Sequence, residues 1–226
     1  MKMILYTSAI LDRMKNCIFG LHAQQLRRLK SVGHRDHKTL YETSEEPGEH
    51  NYLVNSMIIN EVLGGYNMLK LFKYNWQIRR DWFDWCETVS EEELLKKRTG
   101  GIGYILPTLY HIVAVEYGWI CGGIQGKAID IPQFKEVASL QQVKDFSARC
   151  HKELAPFVYD WDDSLEDCIM IDITDEGERE PHKYGEVMRH VIAHEIHHSG
   201  QLSIWSREIG KKPVNANLIG RGLFDI

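Results

Sequence analysis

Beyond Met68 the chain keeps a helical period through four long segments, and the last of these carries four histidines in nine residues. That run, His190-Val-Ile-Ala-His194-Glu195-Ile-His197-His198, holds no helix breaker and lies within an amphipathic segment from about His182 to Ile209. The first long segment covers about Met68 to Val89, with mixed apolar spacing through Leu69, Phe72, Trp76, Trp82, Phe83 and Cys86. Ser90-Glu-Glu-Glu caps a short turn after it. The second, about Gly103 to Ile124, is apolar on most of its circumference and should be central. Gly122-Gly123 and the stretch from Gly126 to Pro132 end it. The third covers about Ser139 to Tyr159, where Pro156 predicts a kink or an early stop. Cys168-Ile-Met-Ile-Asp-Ile alternates like a strand, and Asp175-Glu-Gly-Glu reads as a turn. Long helices on modest connections imply an all-α chain, a four-helix bundle with a short hairpin-like insertion before its last long helix. The tail from Pro213 to Ile226 reads as irregular, packing back through Leu218, Leu223 and Phe224.

Residues 1–67 are different in kind. Polar clusters such as Thr43-Ser-Glu-Glu-Pro-Gly-Glu-His50 separate short apolar pieces, with one helix expected over about Ala9 to Lys30. The codons of Leu63-Gly64-Gly65 can spell AGGAGG a few bases ahead of a start codon for Met68. Residues 1–67 are therefore expected to be either a translated upstream leader or a genuine extension that packs on the 68–226 domain. No apolar run approaches the ~20 residues of a membrane span. Asp12, Arg13 and Lys15 cut the N-terminal apolar stretch too short for a signal sequence. Five scattered cysteines without a CxxC suit reduced thiols and a cytoplasmic protein. A formal charge of −5, with no basic stripe, argues against a nucleic-acid partner. Trp76, Trp82, Trp85 and Trp119 then read as bundle core and dimer face rather than as a base-stacking platform.

The inward-facing histidines follow from helical phase. At ~100° per residue, with His190 at zero, Tyr184, Val187, Met188, Val191, Leu202, Trp205 and Ile209 fall between about 60° and 160°. His194 at about 40° and His198 at about 80° lie on or beside that stripe. His190 and His197 sit at its edge, on a partly exposed face. Two imidazoles at i and i+4 rise about 6 Å and can converge on one ion. Burying both without a ligand would leave polar nitrogens wanting partners. The segment also matches His-Glu-x-x-His, with Glu195 as base, but no third ligand follows His198: Glu208 is too close on the same helix. Upstream, His182 sits at the helix start and His151 among charges, whereas His111 lies in the most apolar helix and needs a partner. The expected metal ligands are His111, His194 and His198, with remaining positions open to water or substrate.

These residues carry a resemblance. Tyr74-Asn75-Trp76, His111 with Val115-Glu116 and Trp119, and His194-Glu-x-His-His198-x-Gly200-Gln201-Leu resemble the DinB family of metal-binding four-helix bundles, which is unrelated to the DNA polymerase of that name. The close of the chain, with Pro213-Val-Asn-Ala-Asn-Leu-Ile-Gly-Arg221, is similar to the damage-inducible DinB proteins of Gram-positive bacteria. The resemblance covers the chain after Met68. It implies a divalent ion, often zinc or nickel, on one histidine of the second helix and two of the fourth: His111, His194 and His198 again. It also implies a homodimer, and for some relatives thiol-dependent S-transfer or isomerisation with bacillithiol or mycothiol. Damage induction concerns regulation and gives no warrant for DNA contact. Ser199 departs from the pattern, an Arg being common there; if that Arg holds an anionic substrate, this chain takes a different one.

The leading expectation is a metal-dependent transferase that lowers the pKa of a small thiol such as bacillithiol. The alternatives are a hydrolase of a small amide or ester using the same site, and a stress-induced metal- or ligand-binding protein. Glu116 and Glu195 face inward at about 140° on their helices, as catalytic groups that orient ligands or move protons, or as a structural salt link. Asn75, Tyr74 and Gln201 are read as pocket residues that bind the cofactor or substrate, against plain helix-to-helix hydrogen bonding.

Overall fold

The computed structural model describes the backbone of residues 49–174 and 176–224, and side chains from Met68 onward. The helix expected near the N-terminus, and Cys17, lie outside the described residues. The chain divides into two compact units, 1–63 and 64–226, and the second is the one described below. It is mainly helical with one small antiparallel sheet.

Helix α1 (Glu49–Cys86) begins upstream of the expected start at Met68 and runs through Leu63-Gly64-Gly65. Glycine inside a helix costs only ~1 kcal/mol relative to alanine, so two of them need not end it. Three residues earlier than expected, α1 gives way to tightened turns in which Thr88 N–H donates to Trp85 O and Val89 N–H to Cys86 O. Ser90 then caps the short α2 (Glu91–Leu94), its hydroxyl accepting from Glu93 N–H. Helix α3 (Ile105–Tyr117) passes directly into a π-helical segment, Gly118–Ile124. Helix α4 (Leu140–Tyr159) starts on a reciprocal cap between Ser139 and Gln142 and continues past Pro156 to Tyr159. Pro156 therefore neither stops it early nor shortens the expected span.

The alternating segment is strand β1 (Ile169–Ile173), paired antiparallel with β2 (Arg179–Lys183), Met170 opposite His182. Met170 is buried while Ile169, Ile171 and Ile173 are exposed, so one face of the hairpin is seated and the other is not. The seat is made by glycine: a Cβ on Gly123 would stand 2.8 Å from the Met170 Cε. Helix α5 (Tyr184–Glu208) closes the order. In the tail Leu218 and Leu223 pack on the core as expected, but Phe224 stays half exposed under the Lys70 ammonium. Among the described residues no helix is long and apolar enough to cross a membrane.

Apolar packing falls into two clusters, and α1, α3, α4 and α5 contribute to both. On α5, Val187, Met188, Val191 and Ile192 belong to one, Leu202 and Trp205 to the other. Buried polar residues, Glu195, His198 and Ser199, lie between. At this waist Arg79 of α1 is 3% exposed, Glu116 of α3 2% and Glu195 of α5 3%. Arg79 donates from Nε and NH2 to both Glu195 oxygens, 2.9 and 2.5 Å, and from NH1 to Glu116 Oε2 at 2.6 Å. The remaining Glu116 oxygen accepts from Trp76 Nε1 at 2.7 Å. Burial works against the Arg79 charge, yet the two carboxylates raise its pKa well above the ordinary guanidinium value. One side chain thus ties three helices by bonds that no neutral residue can replace. Arg79→Met leaves two buried carboxylates without their cation. It should lower the unfolding free energy by about 3–5 kcal/mol in urea titration, and a loss below ~1 kcal/mol would contradict this account.

Candidate metal centre

His111 stands on α3 among buried Leu109, Ile112 and Val113, in a helix whose apolar circumference leaves it facing the core. His194 and His198 stand one turn apart on α5, flanking buried Glu195. The structure brings all three together. His111 Nε2 is 3.0 Å from His194 Nε2, and His198 Nε2 is 3.1 Å from the same atom. Their donor atoms all lie within 4.8 Å of one another, and no carboxylate or thiol of the described residues joins the group.

This geometry fits a divalent ion. A zinc ion with ~2.0–2.1 Å bonds to tetrahedral nitrogens sets them roughly 3.3 Å apart, close to the spacing found. The tautomer of His198 agrees. Its Nδ1 lies 2.8 Å from Gln201 Oε1, an acceptor, so the ring proton belongs on Nδ1 and Nε2 presents a bare lone pair to the cluster. Three ring nitrogens gathered this closely, that of His198 unprotonated, suit a shared cation. Burial, and then the neighbouring rings of His198 and His111, push the His194 pKa down to about 3. Burial also lowers His111 and His198, so all three favour the neutral form that a metal needs.

The other residues singled out from sequence fall elsewhere. Glu116 and Glu195 face inward, but their carboxylates belong to the Arg79 cluster. Asn75 is buried and donates from Nδ2 to Ile192 O at 3.1 Å, a bond from α1 to α5. Tyr74 hydroxyl donates to Ala216 O and so holds the tail. Gln201 is at the centre itself, on His198, with its Nε2 2.9 Å from His197 Nε2. His190 is exposed, edge-on to Trp119 with ring centroids 6.0 Å apart. His151 packs edge-on against Trp76 rather than joining the cluster. Ser199 is buried and accepts from Trp82 Nε1 at 3.2 Å, so its side chain turns to α1. Trp76 and Trp82 are core residues, whereas Trp85 and Trp119 are half buried.

Sequence reasoning missed Arg79. Its signal was a charge inside the apolar stripe Phe72, Trp76, Phe83 and Cys86 of α1. It also missed the loop of Gly100, Gly101 and Gly103, all at positive φ.

Elemental analysis should find about one divalent ion per chain in the wild type. His111→Ala or His198→Ala should lose it while the far-ultraviolet dichroism stays helical. Retention of a full equivalent by both variants would contradict the site.

The model of the DinB family matches residues 60–221. Among curated proteins, "Uncharacterized protein YizA" of Bacillus subtilis (strain 168) is 44% identical over 156 residues, covering 69% of this chain and 96% of that protein. The family match includes His111, His194 and His198 within its span. With a match over most of its length and a near-complete relative, the chain belongs to the DinB family.

Proposed function

We propose that the chain is a four-helix bundle of the DinB type, acting as a metal-dependent S-transferase that joins a bacillithiol-like thiol to a small electrophile. The observation that carries the reading is the meeting of His111, His194 and His198 through Nε2 atoms 3.0–3.1 Å apart along the chain of contacts. Three neutral imidazoles suit zinc or nickel and leave at least one position of a tetrahedral set for an outside donor. A divalent ion held there would lower the pKa of a small thiol and so supply a thiolate at neutral pH. The sulfur forms its bond to the electrophilic carbon as the leaving group departs with its electron pair, and the thiol proton passes to solvent. On the chain's side, the three rings would hold the ion, Gln201 holds the His198 proton on Nδ1, and the Arg79 cluster braces the helices behind them.

The state of the carboxylates favours a thiol over water. A His-Glu-x-x-His hydrolase uses its Glu as general base. Here Glu195 gives both oxygens to Arg79. Cytoplasmic placement belongs to the same reading, supported by buried Cys86, Cys121 and Cys150 as thiols. The homodimer rests on the family resemblance and is tested by sedimentation.

The experiment incubates metal-loaded protein with a chromogenic aryl halide, with and without bacillithiol. Thioether should form only when thiol and metal are both present, and His198→Ala should lower the rate at least 100-fold. Ester or amide turnover that needs no thiol would instead make the protein a hydrolase, and absence of both reactions would make it a binding protein.

A further inference from the structure

The centre is held from outside by a device that contacts no donor atom of the cluster. Gln201 reaches two histidines at once: Oε1 lies 2.8 Å from His198 Nδ1, and Nε2 lies 2.9 Å from His197 Nε2. The amide nitrogen, a donor only, faces His197 Nε2, and the amide oxygen, an acceptor only, faces His198 Nδ1. Were the amide reversed, His198 would be asked to accept on Nδ1 and would carry its proton on Nε2, in the middle of the cluster.

The amide is in turn seated against backbone. Gly101 has φ +53°, and a Cβ there would stand 2.4 Å from Gln201 Oε1 and 2.7 Å from Nε2. The Gly101 loop is fixed to α5 one turn beyond Gln201, where Trp205 Nε1 donates to Thr99 O at 3.0 Å. It is closed on itself by Arg98 N–H donating to Gly103 O at 2.7 Å. The close approach needs a residue with no side chain in a left-handed conformation, and glycine meets both requirements.

The geometry points to Gly101 and Gln201 as positioning residues: the glycine loop seats the Gln201 amide, and the amide sets the tautomer and ring orientation of His198. The inference rests on the metal reading of the cluster. Gly101 acts on His198 through Gln201, whose amide atoms are the nearest that its Cβ would meet. Metal-ligand partners of this kind are worth 10–100-fold in affinity.

The test measures zinc affinity by competition with a chromophoric chelator, in full-length wild type, Gln201→Leu, Gln201→Glu, Gly101→Ala and the double variant Gly101→Ala/Gln201→Leu, with His111→Ala as control. Gln201→Leu and Gly101→Ala should each bind zinc 10–100-fold more weakly. Gln201→Glu, which keeps an acceptor for the His198 N–H, should stay within about threefold of wild type. The double variant should be no weaker than Gln201→Leu alone, since both changes remove one contact. Nitrogen-15 spectra of the histidine rings should show His198 as the Nδ1–H tautomer in wild type and Gln201→Glu, and lose that signature in Gln201→Leu. Wild-type affinity in Gln201→Leu, or additive losses in the double variant, would overturn the inference. If His111→Ala also bound zinc as wild type does, the metal reading itself would fall; if only His111→Ala lost zinc, the positioning role alone would. Should Gly101→Ala not fold, the two Gln201 variants and the ring spectra decide.

Discussion

A single guanidinium at the waist of the protein sets what the rest can be. Arg79 pairs with carboxylates from two other helices, and breaking a buried pair from one side costs far more than an exposed pair is worth. The cluster therefore fixes the phase of α1, α3 and α5 together. That common phase brings His111 of α3 into register with His194 and His198 of α5. Glu195 is immediately next to His194 in sequence, so the clamp and the centre share one turn of helix.

The apolar clusters on either side perform a different task. They supply the burial that drives association of the helices, but hydrocarbon contacts are forgiving about rotation by a fraction of a turn. Directional bonds at the waist are not. Asn75 to the Ile192 carbonyl, Trp82 to Ser199 and Trp76 to Glu116 all cross between helices at that level. The position that reads as a departure from the family pattern, Ser199, is one of these cross-links, and its hydroxyl meets an indole.

Much of this was legible in the residues. The helical period located α3, α4 and α5 to within a few residues, and alternation found β1. Phase on α5 chose His194 and His198 over His190 and His197, and the apolar surroundings of His111 chose the third. What escaped has physical causes. The beginning of α1 was hidden because Gly64-Gly65 reads as a break, although its cost of ~1 kcal/mol per glycine is small enough for the helix to run through. Arg79 drew no reading because its partners come from two helices 37 and 116 residues away. The π-helical segment has no pattern distinct from an α-helix at this length, and Phe224 was apolar enough to look buried yet is capped by Lys70. Gln201 was noticed as a pocket residue, but its hold on two imidazoles depends on a loop one hundred residues upstream, which no local pattern reveals.

Two greasy layers separated by a polar storey have a consequence for how the molecule breathes. Each end of α5 is anchored in its own layer, so amide protons near Val187 and near Leu202 should exchange through openings of different free energy. A cation gripped at the storey between them would belong to both openings at once. Loading it would couple the two openings, so that exchange near both ends of the helix would slow together.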